Sequence, residues 1–341
     1  MSDSPYYSTY DDSPPIVLWL AATSLMVAAM IVIGGITRLT ESGLSMVEWR
    51  PLIGWIPPIG EAEWARVFEL YKESPEYRYT NSWMTVSDFK TIFWWEYIHR
   101  VWGRLIGIVF VLPLIVFAVR GMIPRQLVKR LVVLFILGGI QGGIGWWMVT
   151  SGLADDPEVS AYRLTVHLSM AFLILGALIW TILDFNAAPR THHPEVRKFA
   201  TLVLVLISLT IVAGAFVAGT NAGYAFNTFP LMEGRFIPED YWEADYGWRS
   251  LFEHVPAVQF NHRWLAILTA IVTLIFTHWA ARRIEGPARI ALRLMTIAVT
   301  AQVLLGIATL LLIVPVWLGA LHQAGAVALF ATAIWARHRL S

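Results

Sequence analysis

One carboxylate and four histidines are the side chains of this sequence best suited to chemistry. Glu96 and His99 lie three residues apart in a long apolar stretch, so a helix would place both on one face. Ionisable groups in a membrane-spanning helix cost about 2.5–3.5 kcal/mol each near its centre, which makes a functional site the first explanation for them. A carboxylate there could accept a proton or stabilise positive charge that develops on a reacting carbon.

His167, His262 and His322 occupy equivalent places in later apolar stretches. Together with His99, each lies near the start of an even-numbered stretch, so we expect all four imidazoles at one depth. Histidines from facing helices at matched depth are the geometry that holds an iron porphyrin between two imidazoles. The pattern therefore predicts two pairs of haem-iron ligands, although any single histidine could instead form a hydrogen bond between helices.

The composition sets the class of protein. The chain has 341 residues, of which 57% are hydrophobic and 14% charged, and its mean hydropathy is +0.59. The absence of cysteine excludes disulfides, thiolate catalysis and iron–sulfur sites, and the formal net charge of +1 argues against a nucleic-acid partner. Apolar runs of about 20 residues are long enough to cross a bilayer as helices. We predict an all-α integral membrane protein with eight transmembrane helices, at 16–36, 93–119, 131–149, 163–183, 199–219, 257–280, 291–313 and 318–336.

The eight spans form two similar halves. Ile98-His99-Arg100 precedes Asn261-His262-Arg263 by 163 positions, and Gln141 precedes Gln302 by 161. Because four spans per half preserve orientation, we expect two pseudo-symmetric four-helix halves related by an axis along the membrane normal. The predicted divisions are a cytoplasmic tail (1–15), an N-terminal half (16–185), a cytoplasmic linker (186–198) and a C-terminal half (199–341).

Positive charge is sorted between the loops. Lys and Arg concentrate after the second, fourth and sixth spans and at the C-terminus, as in Arg125, Arg197 and Arg289. By the positive-inside rule both termini are cytoplasmic, and the four histidines lie toward the outer side of a bacterial inner membrane. Histidines on the basic side, such as His338, are expected to be solvated or to snorkel toward water.

The first outer loop contains an amphipathic segment. Trp64, Val67, Phe68 and Tyr71 recur at helical spacing after a pair of prolines. This pattern predicts a short helix that lies in the membrane interface.

Four arginines lie near the predicted depth of the histidines. Arg100 and Arg263 follow their histidines directly, Arg104 lies one turn further along, and Arg163 lies four residues before His167. Guanidinium groups bind carboxylates in fixed geometry, so these four are candidate contacts of haem propionates. Snorkelling to the interface is the alternative for each of them.

One difference separates the two halves. The repeat mate of Glu96 is Gln259, a neutral side chain of the same shape, so only the first half has a titratable carboxylate at this position. A second-half haem held by two imidazoles suits electron transfer. A first-half haem beside Glu96 could be altered chemically.

Five separated runs of the sequence resemble haem A synthases. They are residues 34–45 (GGITRLTESGLS), 96–100 (EYIHR), 141–146 (QGGIGW), 227–232 (NTFPLM) and 322–325 (HQAG). The resemblance covers nearly the whole chain and is closest to the cysteine-free bacterial and mitochondrial-like branch of that family.

The resemblance implies oxidation of the C8 methyl group of haem O to a formyl group, which gives haem A for terminal oxidases. It further implies that His262 and His322 are axial ligands of a resident haem b, that His99 and His167 bind the substrate haem, and that Glu96 is the catalytic acid beside it. The implied partners are haem O, the farnesyltransferase that makes it, membrane lipid and an unidentified electron acceptor. Small-residue faces such as Gly138/Gly142 permit a homo-oligomer.

Two other functions are compatible with part of the pattern. A di-haem b-type membrane electron-transfer cytochrome would account for four histidines, but it would not need the difference between Glu96 and Gln259. A secondary transporter would need broken helices at the membrane centre. The polar residues here gather toward the outer side instead.

Overall fold

The computed structural model describes residues 14–48, 54–152, 158–185 and 193–340. The predicted tail falls outside these residues except for its last two positions, as does the linker up to residue 192. The α-helices of the described residues are α1 (Pro14–Leu39), α2 (Gly60–Lys72), α3 (Val86–Val119), α4 (Arg125–Gly152), α5 (Ala161–Phe185), α6 (Pro194–Gly219), α7 (Ser250–Glu253), α8 (Val255–Ala281), α9 (Pro287–Leu311) and α10 (Val316–Arg339).

All helices except α2 and α7 are long and apolar enough to cross a membrane, which confirms the eight predicted spans and a multi-pass membrane protein. The largest difference in bounds is at α3, which begins at Val86 instead of residue 93. Its start is fixed by a capping box, in which the Thr85 backbone N–H donates to Asp88 Oδ2 over 2.9 Å. A search for long apolar stretches misses this extension, because a hydrogen-bonded cap and not hydrophobicity defines where the helix begins.

The helix contacts repeat in the two parts of the chain. In the first, α1 packs on α3 and α5, and α4 packs on α5 and touches α3; in the second, α6 packs on α8 and α10, and α9 packs on both. The contacts between the parts are α1 with α10, α5 with α6, and α5 with α10. If α1 is exchanged with α6 and α5 with α10, these three contacts between the parts stay the same. The contacts are therefore consistent with two pseudo-symmetric four-helix halves.

The surface between the two parts is apolar and close-packed. Phe172 of α5 meets Phe330 of α10 edge to face, with ring centroids 5.3 Å apart. Gly176 lets that ring approach, since an added Cβ would stand 3.2 Å from it. Gly219 brings α6 against α5, where a Cβ would lie 2.7 Å from the Ala161 Cα. In a bilayer such close backbone approach drives helix association, because lipid tails are as apolar as the side chains.

The amphipathic segment of the first loop forms α2, as predicted. Its apolar face is covered by protein, however, and not by the interface alone. Trp64, Phe68 and Tyr71 are buried against Phe89 of the α3 extension and Phe93 directly after it. The seven extra residues of α3 explain the difference, because they provide an apolar surface beside α2 that the predicted span lacked.

A polar cluster joins three helices at the opposite end of the bundle. Asp184 of α5 accepts hydrogen bonds from Arg130 of α4 and, over 2.8 Å, from Nε2 of His338 of α10. His338 is only 1% exposed and packs edge-on against Trp180. The expectation that His338 is solvated is therefore wrong, since the carboxylate of Asp184 supplies a partner that sequence position alone did not reveal.

We expect Asp184→Asn to lower the stability of the bundle by about 1–3 kcal/mol, because a buried donor on His338 loses its charged acceptor. The measurement is thermal unfolding of the purified protein in detergent. Glu239→Gln is the matched control, since it removes a carboxylate from an exposed ion pair with Arg235, where about 0–1 kcal/mol is at stake. Equal unfolding temperatures for the two variants would contradict this assignment.

Candidate functional site

Each of the four histidines packs against a glycine of the preceding membrane helix. The ring of His99 lies over Gly34 of α1, where an added Cβ would stand 3.2 Å from Nε2. The other contacts have the same form, with a Cβ standing 3.0 Å from Cε1 of His167 at Gly145, 2.9 Å from that of His262 at Gly214, and 2.9 Å from that of His322 at Gly306. Any larger residue at these positions would push the imidazole away from the helix behind it.

The four contacts lie at a similar level of the bundle. The glycines stand within about two turns of the ends of α1, α4, α6 and α9, and three histidines stand within about two turns of the starts of α5, α8 and α10. His99 lies nearly four turns into α3, because this helix has the extension that packs on α2. The extension accounts for the larger number of helical turns that precede His99.

The histidines face each other in pairs. His99 lies within electrostatic range of His167, and His262 within range of His322. Nδ1 of His167, His262 and His322 is buried. Each half of the bundle thus brings two imidazoles toward one site.

A glutamine stands beside one histidine of each pair. Gln141 Nε2 lies 3.5 Å from Nε2 of His167, and Gln302 Nε2 lies 3.4 Å from Nε2 of His322. The amide oxygens of both glutamines are buried without a partner among the described residues. The repeated Gln-x-x-x-Gly spacing, 141/145 and 302/306, places amide and glycine on one helix face toward the same ring.

Glu96 is 2% exposed and is held by three donors. Ser45 Oγ and the backbone N–H of Met46 each donate to Oε2 over 2.7 Å, and Arg100 pairs with Oε1. Arg100 also donates to the Met46 carbonyl over 2.9 Å. The carboxylate therefore ties α3 to the segment after α1, and its charge is balanced by one guanidinium group.

Gln259 makes the equivalent connection with reversed polarity. Its Nε2 donates to the carbonyls of Ala222, over 2.8 Å, and Ala225. Its Oε1 accepts from Arg263 over 2.9 Å, and Arg263 also donates to the Phe226 carbonyl over 3.0 Å. An amide can donate to carbonyls where a carboxylate cannot, so this side chain suits a loop that presents oxygens.

The four predicted propionate arginines all donate to backbone carbonyls. The acceptors are Met46 for Arg100, Gly54 for Arg104 at 2.7 Å, Trp147 for Arg163 at 2.6 Å, and Phe226, Thr228, Pro230 and Leu231 for Arg263. They fasten loops or helix ends above the histidines. Their binding to propionates stays a prediction, and a propionate would have to share these donors.

Sequence reasoning missed the glycines behind the histidines and the role of Ser45. The glycines Gly138 and Gly142 stood out for their spacing, yet a Cβ on either would meet no atom of the described chain within 4 Å. The informative glycine is Gly145, which the repeat Gln141/Gly145 and Gln302/Gly306 could have revealed. Ser45 lacks any such signal, because its repeat counterpart does not bind a carboxylate.

Comparisons with known proteins show the family of the chain. A family model described as "Cytochrome oxidase assembly protein" matches residues 17–334. The chain belongs to the COX15-CtaA family of cytochrome oxidase assembly proteins. It is similar to proteins named "Heme A synthase" from Nitrosospira multiformis, 45% identical over 96% of this chain and 93% of the relative, from Paramagnetospirillum magneticum, 47% over 95% and 93%, and from Rhodospirillum centenum, 48% over 95% and 88%.

The residues of this COX15-CtaA member fit haem. Among the described residues, no group of three or more His, Cys, Asp or Glu side chains could hold a bare metal ion. Haem iron needs only two axial protein ligands, because the porphyrin supplies the other four. Each half supplies two imidazoles within electrostatic range of each other, His99 with His167 and His262 with His322, which matches the number of protein ligands that haem iron needs.

We expect Gly306→Ala and Gly214→Ala to lower the haem content of the purified protein, because the added methyl displaces His322 or His262. The measurement is the haem spectrum per mole of protein in detergent. Gly139→Ala is the control, since a Cβ there has nothing within 4 Å and the change adds the same methyl group. Haem content that falls equally in all three variants would show that the close approach to histidine is not the cause.

Proposed function

We infer that the chain oxidises the C8 methyl group of haem O to a formyl group, the haem A synthase reaction. The relatives with this name cover 95–96% of the chain at 45–48% identity. The observation that carries the function is the asymmetry between two otherwise equivalent sites. A buried carboxylate, Glu96, stands beside one histidine pair, and a neutral amide, Gln259, takes its place in the other half.

We propose that the half over 16–185 binds the substrate and that the half over 199–341 binds a resident haem b. His99 and His167 would hold the iron of haem O, and His262 and His322 would be the axial ligands of haem b. When bound, a bis-histidine haem supplies one-electron redox chemistry within the same bundle as the substrate. The proximity of His262 to His322, and of His99 to His167, supports one pair of iron ligands in each half.

The protein's part in the reaction is to hold charge and position. Glu96 is fixed by Ser45, Met46 and Arg100, so its carboxylate cannot turn away when the substrate enters. A fixed negative charge at this place favours a transition state with positive charge on the methyl carbon. The histidines fix the porphyrin plane, and the glycines behind them fix the histidines.

The arginines are proposed to orient the porphyrin edge. Arg104 and Arg163 are partly exposed, and Arg163 also lies over the Trp147 ring at 4.6 Å. Arg100 and Arg263 bind loops more closely. Guanidinium groups that already fasten loops could add a propionate as a further acceptor, which would close those loops over the bound haem.

We propose that both termini face the cytoplasm and that the histidines lie toward the outer side of a bacterial inner membrane. The loop charges support this orientation. The other proposed partners are the farnesyltransferase that makes haem O, an electron acceptor and further copies of this chain. The open face around Gly138 and Gly142 supports the last of these, since a Cβ on either meets no atom of the described chain within 4 Å.

We expect Glu96→Gln to keep both haem sites occupied and to stop the conversion of haem O, because the neutral amide removes the charge while preserving the shape. The measurement is chromatography of haem types extracted from the purified variant. Haem O should accumulate on the protein, and haem A should fall by about 100-fold or more, the size expected for losing a charged group in a buried site.

Ser45→Ala is the matched control for that experiment. It removes one donor to Glu96 but leaves the carboxylate, so we expect haem A production to remain within about tenfold of the unaltered protein, as for loss of a single hydrogen bond. Unchanged haem A yield in Glu96→Gln would refute a necessary role for the carboxylate. Equal losses in both variants would assign Glu96 to loop anchoring alone.

A further inference from the structure

A second buried carboxylate belongs to the proposed substrate half. Among the described residues only Glu96, 2% exposed, and Glu76, 6% exposed, are buried acids. Glu76 belongs to the first outer loop, beyond α2. In the matching loop of the other half the acids Glu233 and Glu239 are exposed. Burying a carboxyl group is unfavourable. Among the described residues both buried acids belong to the proposed substrate half, and Glu76 lies within electrostatic range of Glu96.

Glu76 is held in a fixed arrangement. Tyr71 donates its hydroxyl hydrogen to Glu76 Oε2 over 2.8 Å, and Asn81 Nδ2 donates to the Tyr71 hydroxyl over 2.8 Å. The Tyr71 ring stacks on Phe89 of α3 with centroids 5.0 Å apart. Tyr71 and Asn81 are themselves 0% and 5% exposed. The carboxyl group is thus positioned by the buried side chain of Tyr71, which is itself held by Asn81 and Phe89.

Titratable groups from three elements lie near Glu76. They are Glu96 of α3, Arg38 and Glu41 at and just after the end of α1, and the neutral hydrogen-bond donor Tyr71 of α2. Burial is the largest effect and raises the pKa of Glu76 to about 8, while the Tyr71 hydrogen bond acts in the opposite direction. Burial also raises the pKa of Tyr71 well above its usual range, so Tyr71 stays a neutral donor.

The proposed reaction exchanges protons with the surroundings. Oxidation of a methyl to a formyl group with water as oxygen source releases four protons and four electrons; with dioxygen, each hydroxylation takes up two of each. Glu96 is already engaged by three donors, one of which is its ion-pair partner Arg100. A second carboxyl group that takes up and releases a proton near neutral pH could exchange the protons of the reaction with the surroundings.

We propose that Glu76 is the proton-exchange group of the haem O site, passing protons between the pocket around Glu96 and the solvent on the loop side. This proposal rests on the proposed function. In the outward direction a proton leaves the pocket for the carboxylate of Glu76, which becomes the neutral acid and then gives the proton to water; no electron moves. Glu76 lies in the loop and not at the haem, so it acts on the reaction only through the groups around Glu96.

The test combines infrared titration with a pH profile of haem A formation, using the full-length protein. We expect the infrared band of a neutral carboxyl group to disappear as pH rises through about 8. The band should be absent in Glu76→Gln and should titrate at higher pH in Tyr71→Phe, which loses the donor that favours the carboxylate. With water as the oxygen source, the rate of haem A formation by the unaltered protein should rise over the same pH range. Glu76→Gln should form haem A about tenfold more slowly, show no such rise, and keep its haem content unchanged.

Tyr77→Phe is the matched control, because it removes a hydroxyl from the same aromatic cluster that bonds Ser82 and not Glu76. It should leave both the band and the rate unchanged. If Glu76→Gln forms haem A as fast as the unaltered protein with the same pH profile, the proposal is overturned. A Tyr71→Phe variant whose band titrates at the original pH also overturns it, even if Glu76→Gln fails to fold. An unaltered protein that forms no haem A overturns the proposed function itself.

Discussion

The contact between each histidine and a glycine of the neighbouring helix is the constraint on which the rest of the structure depends. An imidazole inside a bilayer-spanning bundle must have room beside the next backbone, and a glycine supplies it at Gly34, Gly145, Gly214 and Gly306. These contacts set which helices are neighbours and where along each helix they touch. The level of the histidines, and so of any haem between them, follows from four glycines near the ends of their helices.

The two similar parts of the bundle share a scaffold but differ in polarity at one position. Glu96 accepts from Ser45 and Met46, whereas Gln259 donates to the equivalent loop, and each pairs with the arginine four residues later. Both side chains therefore fasten a loop to a helix. A structural role alone would be satisfied by either arrangement. The first half adds a charge to that role, and a second buried acid, Glu76, lies within electrostatic range of it.

Much of this could be predicted from the sequence, because apolar length and the repeat are properties of the chain itself. The eight spans, the amphipathic α2 and the difference between Glu96 and Gln259 needed no coordinates. The α3 extension, the partners of His338 and the triad of Tyr71, Glu76 and Asn81 did, since each depends on contacts between segments distant in sequence or on a capped polar end. Glu76 looks like an ordinary loop acid until its burial is known.

The most direct test of the division between the halves is haem analysis of His99→Ala and His262→Ala, each purified from cells with and without a haem O supply. The account predicts that the unaltered protein carries haem b alone without the supply and gains haem O or haem A with it. His99→Ala should keep haem b and lose the supplied haem, and His262→Ala should lose haem b. Two permanent b-type haems in the unaltered protein, or loss of the same haem from both variants, would contradict it.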